Sequence, residues 1–273
     1  MNRVNLNFHQ TFGPEREYIG RLLALADGHS AYSKEEIFER TGIPTGSSSG
    51  KVEPHIHYAV LMGLLTDEVT HGEHTLARTV LGEQVAQADP HLVEPISMML
   101  CHYNMSSPPG GADLWCFLFN RVVPSLGLRL DTDTLRAVTS NEFRRQRVNL
   151  TPLRTCYTAD KCLGALNLVS EEGKYWCFKG IPYQSDFRYG YAYTLLRTWD
   201  ALLPERRELT LDEVQNVLGW DKPFLWSDRE THNILDSLCD LGLIAVNKQL
   251  TPITVIRNAL QNSVITKLYS LLV

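Results

Sequence analysis

Glu172-Gly173-Lys174 has the E-x-K spacing with which some metal-dependent nucleases pair a metal-binding carboxylate with a lysine that helps activate water. Asp160, a short way upstream, supplies a second carboxylate, and such a pair would hold Mg2+ through oxygen ligands. The same tripeptide suits a hairpin turn, so its spacing alone does not specify a site. Arg144, Arg145 and Arg147 form the densest basic cluster, with Arg154 and Lys161 nearby. Guanidinium groups grip phosphates bidentately, which makes this cluster the strongest candidate for phosphate contact. Cations at a solvated helix end are the structural alternative. Ser47, Ser48, Ser49 and Lys51 offer hydroxyls, backbone N–H groups and an ammonium at a helix start, a second set for phosphates or simply a solvated loop. His55 and His57, two apart on a helix, diverge and make a poor metal pair. Arg229, His232 and Asn233 follow a capping Ser227, and Arg and Asn are the side chains that best read guanine and adenine edges. The same helix start could instead pack on a partner protein.

Other catalytic signatures are missing from the sequence. There is no phosphate-binding glycine loop, no G-x-S-x-G, no H-E-x-x-H and no dinucleotide fingerprint. His9, close to Glu15 and Arg16, could form a small polar site or be a turn histidine held by an acid. The six cysteines include no C-x-x-C pair and read as reduced, mostly buried thiols.

The elements that position these residues follow from a pattern occurring near each end. Ser33 and Gly42 are nine residues apart, as are Thr210 and Gly219. Each pair brackets a short stretch opened by a hydroxyl cap with an acid three residues on, Glu36 or Glu213. A second helical stretch then ends in another glycine amid apolar residues, Gly63 or Gly242. Capped helix, turn, second helix and strand is the outline of a winged helix-turn-helix. A weaker third copy opens at Asp131-Thr132-Asp133-Thr134 and runs through a helix over Pro152 to Leu163 to a hairpin at Glu171-Glu172-Gly173. The pattern predicts further helices to about Ala26, over Val52 to Met62, over Tyr189 to Leu202 and over Asn258 to Leu272. It also predicts a hairpin over Thr66 to Ala77 with His71-Gly72-Glu73 at its tip, and another over Ile244 to Val255. Ser106-Ser107-Pro108-Pro109-Gly110-Gly111 is the strongest breaker in the chain.

The expected fold is therefore mainly α with small β-hairpin wings: tandem winged helix-turn-helix units packed with extra helices. The units divide as 1–108, a winged-helix unit with further helices, 109–185, a central helical and hairpin unit, and 186–273, a second winged-helix unit. The net charge of −5 argues against general coating of DNA and confines any contact to local patches. No apolar run is long enough to span a bilayer and no secretory signal is seen, so a cytoplasmic protein is expected.

Phe8-His9-Gln10-Thr11-Phe12, Asp89-Pro90-His91-Leu92, Leu114-Trp115-Cys116-Phe117-Leu118-Phe119-Asn120 and Asp160-Lys161-Cys162-Leu163-Gly164-Ala165-Leu166 carry a resemblance. Over nearly its whole length the chain resembles an uncharacterised domain family encoded beside PAPS-reductase-like genes in bacterial DNA phosphorothioation (Dnd/Ssp-type) defence loci. The resemblance implies a component that nicks double-stranded DNA and works with a sulfur-transfer enzyme and an ATPase. It transfers no catalytic residues. The combined expectation is a DNA-binding component of a phage-defence system, with a homodimer as one option and strand nicking as an extension. The alternative is a non-enzymatic winged-helix adaptor or a transcriptional regulator.

Overall fold

The computed structural model describes residues 6–46, 50–144, 148–249 and 251–272. The first unit begins with α1 (Arg16–Leu25), which buries Ile19, Leu22 and Leu23. It is followed by the short strand β1 (Ala31–Tyr32) and by α2 (Lys34–Thr41). The Ser33 hydroxyl accepts from the Glu36 amide and the Glu36 carboxylate accepts from the Ser33 amide, so the expected capping box forms. Gly42, at φ 68°, turns the chain out of α2 through a conformation that side-chain-bearing residues resist. α3 (Val52–Leu61) follows, and Gly63 at φ 74° sends the chain into β2 (Leu65–Thr70) and β3 (Glu73–Arg78). His71 and Gly72 both have positive φ, the geometry that a two-residue hairpin needs to match strand twist. All pairing is antiparallel, in the spatial order β1-β3-β2.

α4 (Val80–Ala88), α5 (Pro95–Ser106), α6 (Asp113–Phe117) and α7 (Val123–Leu126) lead to the middle unit. That unit runs β4 (Arg129–Asp131), α8 (Thr132–Glu142), α9 (Thr151–Thr158), β5 (Val169–Glu172) and β6 (Tyr175–Phe178). Its sheet order is β4-β6-β5. Asp131 caps α8 by accepting from the amides of Asp133 and Thr134. The last unit opens with α10 (Arg188–Leu202) and β7 (Glu208–Thr210). A short wide-turn helix over Glu213–Val217 follows, then α11 (Asp228–Asp240), β8 (Ile244–Asn247) and β9 (Thr254–Arg257). The sheet order is again first, third, second: β7-β9-β8. Thr210 and Glu213 exchange the same two capping bonds as Ser33 and Glu36, and Gly219 and Gly242 have positive φ like Gly42 and Gly63. Ser227 and Glu230 form another capping box at the start of α11. Replacing Ser227 by alanine is expected to cost about 1 kcal/mol in urea unfolding; an unchanged midpoint would mean that α11 is held by packing alone.

Among the described residues the architecture is mainly α with three small antiparallel sheets. Two details depart from the sequence expectation. Each hairpin carries a third strand of two or three residues, too short to leave a periodic signal. The expected terminal helix over Asn258 to Leu272 is only α12 (Gln261–Ile265), followed by i→i+3 turns. The hydroxyls of Ser263, Thr266 and Ser270 each bond a carbonyl three residues back, the local competition that weakens helix in such stretches.

α5 lies at the centre. Every residue from Ile96 to Ser106 is buried, as expected of a helix enclosed on all faces. Its polar side chains reach all three units. Asn104 donates to the Met62 carbonyl after α3 (2.9 Å), and Tyr103 bonds Thr198 on α10 (2.7 Å). His102 Nε2 lies 2.7 Å from the Pro223 carbonyl and Nδ1 lies 2.6 Å from the Tyr157 hydroxyl of α9. A carbonyl can only accept, so Nε2 carries the proton and the neutral ring accepts at Nδ1 from Tyr157. Two of the segments that carry the resemblance meet nearby. Phe8 and His9 each pack 6.0 Å from the Trp115 ring, and Asn120 donates to the Ser106 carbonyl at the end of α5.

Candidate nucleic-acid interface

The start of α11 presents Arg229 and Asn233 to solvent, one turn apart on one face, with the half-buried His232 beside them. His232 Nδ1 donates to the Asp228 carbonyl (2.6 Å), which in the neutral ring leaves Nε2 as an acceptor. These three residues are therefore brought together, as their spacing implied.

In the first unit, Ser47, Ser48 and Ser49 lie outside the described residues. Lys51 turns inward. Its ammonium is 2.6 Å from Glu15 and stands over the Phe12 and Tyr18 rings, while Lys161 approaches the other Glu15 oxygen at 3.1 Å. Partial burial pushes the Glu15 carboxyl up, but the two ammonium groups outweigh it and hold it below its ordinary value. The Glu15 amide donates to His55 Nε2 (3.1 Å) and His55 Nδ1 donates to the Lys51 carbonyl (2.7 Å). Burial drives the His55 pKa down to about 4, so this ring is a neutral joint between α1 and α3. His9 is likewise a buried core histidine, with its pKa lowered by burial.

In the middle unit, Arg144 is exposed in the turn between α8 and α9, its guanidinium resting on Asn141 at 2.9 Å. Arg145 and Arg147 lie outside the described residues. Glu172 and Gly173-Lys174 sit at the β5–β6 hairpin turn, where Gly173 has φ 64°. Glu172 is 3.5 Å from Arg129, and the Lys174 ammonium stands over the Tyr175 ring. Asp160 belongs to the turn after α9, where its carbonyl accepts from Arg16. Among the described residues no three His, Cys, Asp or Glu side chains are grouped to hold a metal.

Beside this arginine turn is an open cleft of about 560 Å3 between the segment around Gln10 and the α8–α9 pair. Arg136, Arg154, Asn149 and Trp176 are among its walls. Sequence reasoning placed Arg154 near the basic cluster but passed over Gln10 and Arg136. The available signal was that Arg136 and Arg154 stand on either side of Arg144, Arg145 and Arg147 in the sequence.

No family model and no curated protein matches the chain. Two solved structures do. The magnesium ion-bound SspB crystal structure is 14% identical, with a TM-score of 0.77 over 97% of this chain and 87% of that one. A second SspB crystal structure is 15% identical, with the same TM-score and coverage. This chain has the SspB fold. The likeness runs through all three units and α5, since it leaves out only a small part of the chain.

Proposed function

We propose that this protein is a DNA-binding component of a phosphorothioation-type phage-defence system, built from three winged-helix units within 1–108, 109–185 and 186–273. One observation carries the proposal: edge strand, helix pair and hairpin occur three times in the same order, each with sheet order first, third, second. That is the layout of a winged helix-turn-helix, whose second helix enters a groove of duplex DNA. The fold shared with SspB supports the defence setting. In this account α11 offers Arg229, His232 and Asn233 to base edges, and Arg144, Arg145 and Arg147, which lie between α8 and α9 in the sequence, contact phosphates. A sulfur-transfer enzyme and an ATPase would be the working partners. Asp160, Glu172 and Lys174 remain the candidate residues for a strand-cutting step, with Mg2+ held by one or two carboxylates and water.

The test is duplex binding across a salt series. Alanine at Arg144, Arg145 and Arg147 together is expected to weaken binding similarly on all sequences. It should also flatten the log–log salt slope by about 0.9 for each phosphate that is no longer neutralised. Unchanged binding at low salt would remove this cluster from the interface. The net charge of −5 favours a second account, an adaptor or regulator. A regulator would bind one short operator tightly as a dimer. Relaxation of a supercoiled plasmid with magnesium and the partner proteins tests nicking directly.

A further inference from the structure

The geometry points to a nucleotide site in the cleft between the segment around Gln10 and the α8–α9 pair, with Arg136 and Arg154 on the phosphate and Gln10 and Asn149 on the base. Its volume of about 560 Å3 is that of a small-molecule site. In a chain of net charge −5, none of its described lining residues is acidic. Two arginines line it from different helices, Arg136 from α8 and Arg154 from α9. Each is paired only loosely and at the surface, Arg136 with Asp133 at 3.3 Å and Arg154 with Glu171 at 3.4 Å. Exposed pairs of this kind hold their partners weakly, so a phosphate that accepts two parallel N–H bonds displaces them.

The rest of the cleft suits a base. Val148, Leu150 and Trp176 supply apolar wall, against which a flat ring loses water. Gln10 and Asn149 supply amides, the groups that pair with a base edge as donor and acceptor together. The amide of Asn149 is already set: Oδ1 accepts from the Thr151 backbone (3.1 Å) and Nδ2 donates to the Gln10 carbonyl (3.4 Å). That second bond, long and at the surface, reaches from the segment before α9 to the first unit. The cleft also adjoins the turn that carries Arg144, where further phosphates of a strand would lie.

Two sources provide this chemistry, a free mononucleotide or a nucleotide unstacked from a DNA strand, and the second rests on the DNA-binding proposal. The experiment uses the whole chain and three probes: dAMP, a duplex with a single bulged 2-aminopurine, and the same duplex without the bulge. The wild type is compared with the double variant Arg136→Ala/Arg154→Ala, whose side chains are 69% and 43% exposed and whose folding is checked by its melting temperature. For a free nucleotide, dAMP binds and the double variant binds it about tenfold more weakly or worse. For a strand, the bulged duplex outbinds the plain one with a rise in 2-aminopurine fluorescence. That preference then vanishes in the double variant and in Gln10→Ala. If neither dAMP binding nor the bulge preference exists while plain duplex still binds, the cleft is not a nucleotide site and the DNA proposal survives. If plain duplex does not bind, the DNA proposal fails, and the dAMP comparison alone decides the cleft.

Discussion

Taking the protein from pH 7 to pH 4 is expected to remove several kcal/mol of folding stability, most of it through two buried histidines. His102 and His55 are each held by burial at about 4, against an ordinary 6.5. Both are fully bonded as neutral rings. Protonating His102 would set a second N–H against a hydroxyl that now donates to it, and protonating His55 would set one against the Glu15 amide. The unfolded chain takes up these protons below 6.5 and the folded chain only near 4. Stability is therefore full above 6.5 and falls as the pH drops through that window. At about 1.4 kcal/mol per pH unit the two sites together approach ~7 kcal/mol, comparable to the whole stability of many proteins. Thermal melts at pH 7, 6, 5 and 4 should show a steep decline that begins above the carboxylate range. His55→Gln should shallow it. A melting temperature constant down to pH 4.5 would show that these rings are not buried as neutral groups.

Gly82→Ala should be the most damaging alanine substitution among the described glycines. Gly82 lies on α4, and a Cβ there would stand 1.9 Å from the Leu64 carbonyl oxygen and 2.9 Å from its carbon. That carbonyl cannot move aside cheaply, because it accepts from both the amide and the hydroxyl of Thr79, the cap of α4. The clash would prise α4 from the entrance to β2. Overpacking against backbone is expected to cost about 3 kcal/mol, or a fall of about 10 °C in melting temperature. Gly72→Ala is the comparison. That glycine has φ 86° at the hairpin tip with nothing within 4 Å of an added carbon, so the loss should be only about 1 kcal/mol of backbone strain. If the two variants melt alike, close approach of α4 to Leu64 is not what selects glycine at position 82.

What could be read from the chain was local. Ser33 with Glu36, the Ser227 cap and the His71-Gly72 tip are each decided by residues within a few positions, and each appears where expected. The middle hairpin at Gly173 was legible for the same reason. Lys51 was not, because its direction is set by Glu15, 36 residues away, and by two aromatic rings. The cleft was harder still. It joins Gln10 to residues beyond 130, and no periodicity or motif links such distant positions. Nor did α5 announce its role, since an apolar helix looks the same in sequence whether it lies on a core or is wrapped by one.

The burial of α5 bears on how the protein would meet a large partner. Multi-unit binders are usually strung on flexible linkers, and each further contact then depends on how far the tether lets the next unit wander. Here the tether is replaced by an axle: one enclosed helix bonded to Met62, Tyr157, Thr198 and Pro223. The units keep a set spacing and phase before any encounter. If all three units bind, as proposed, a partner with matching spacing would meet them with no further ordering of the chain, and one with the wrong spacing would itself have to bend to fit.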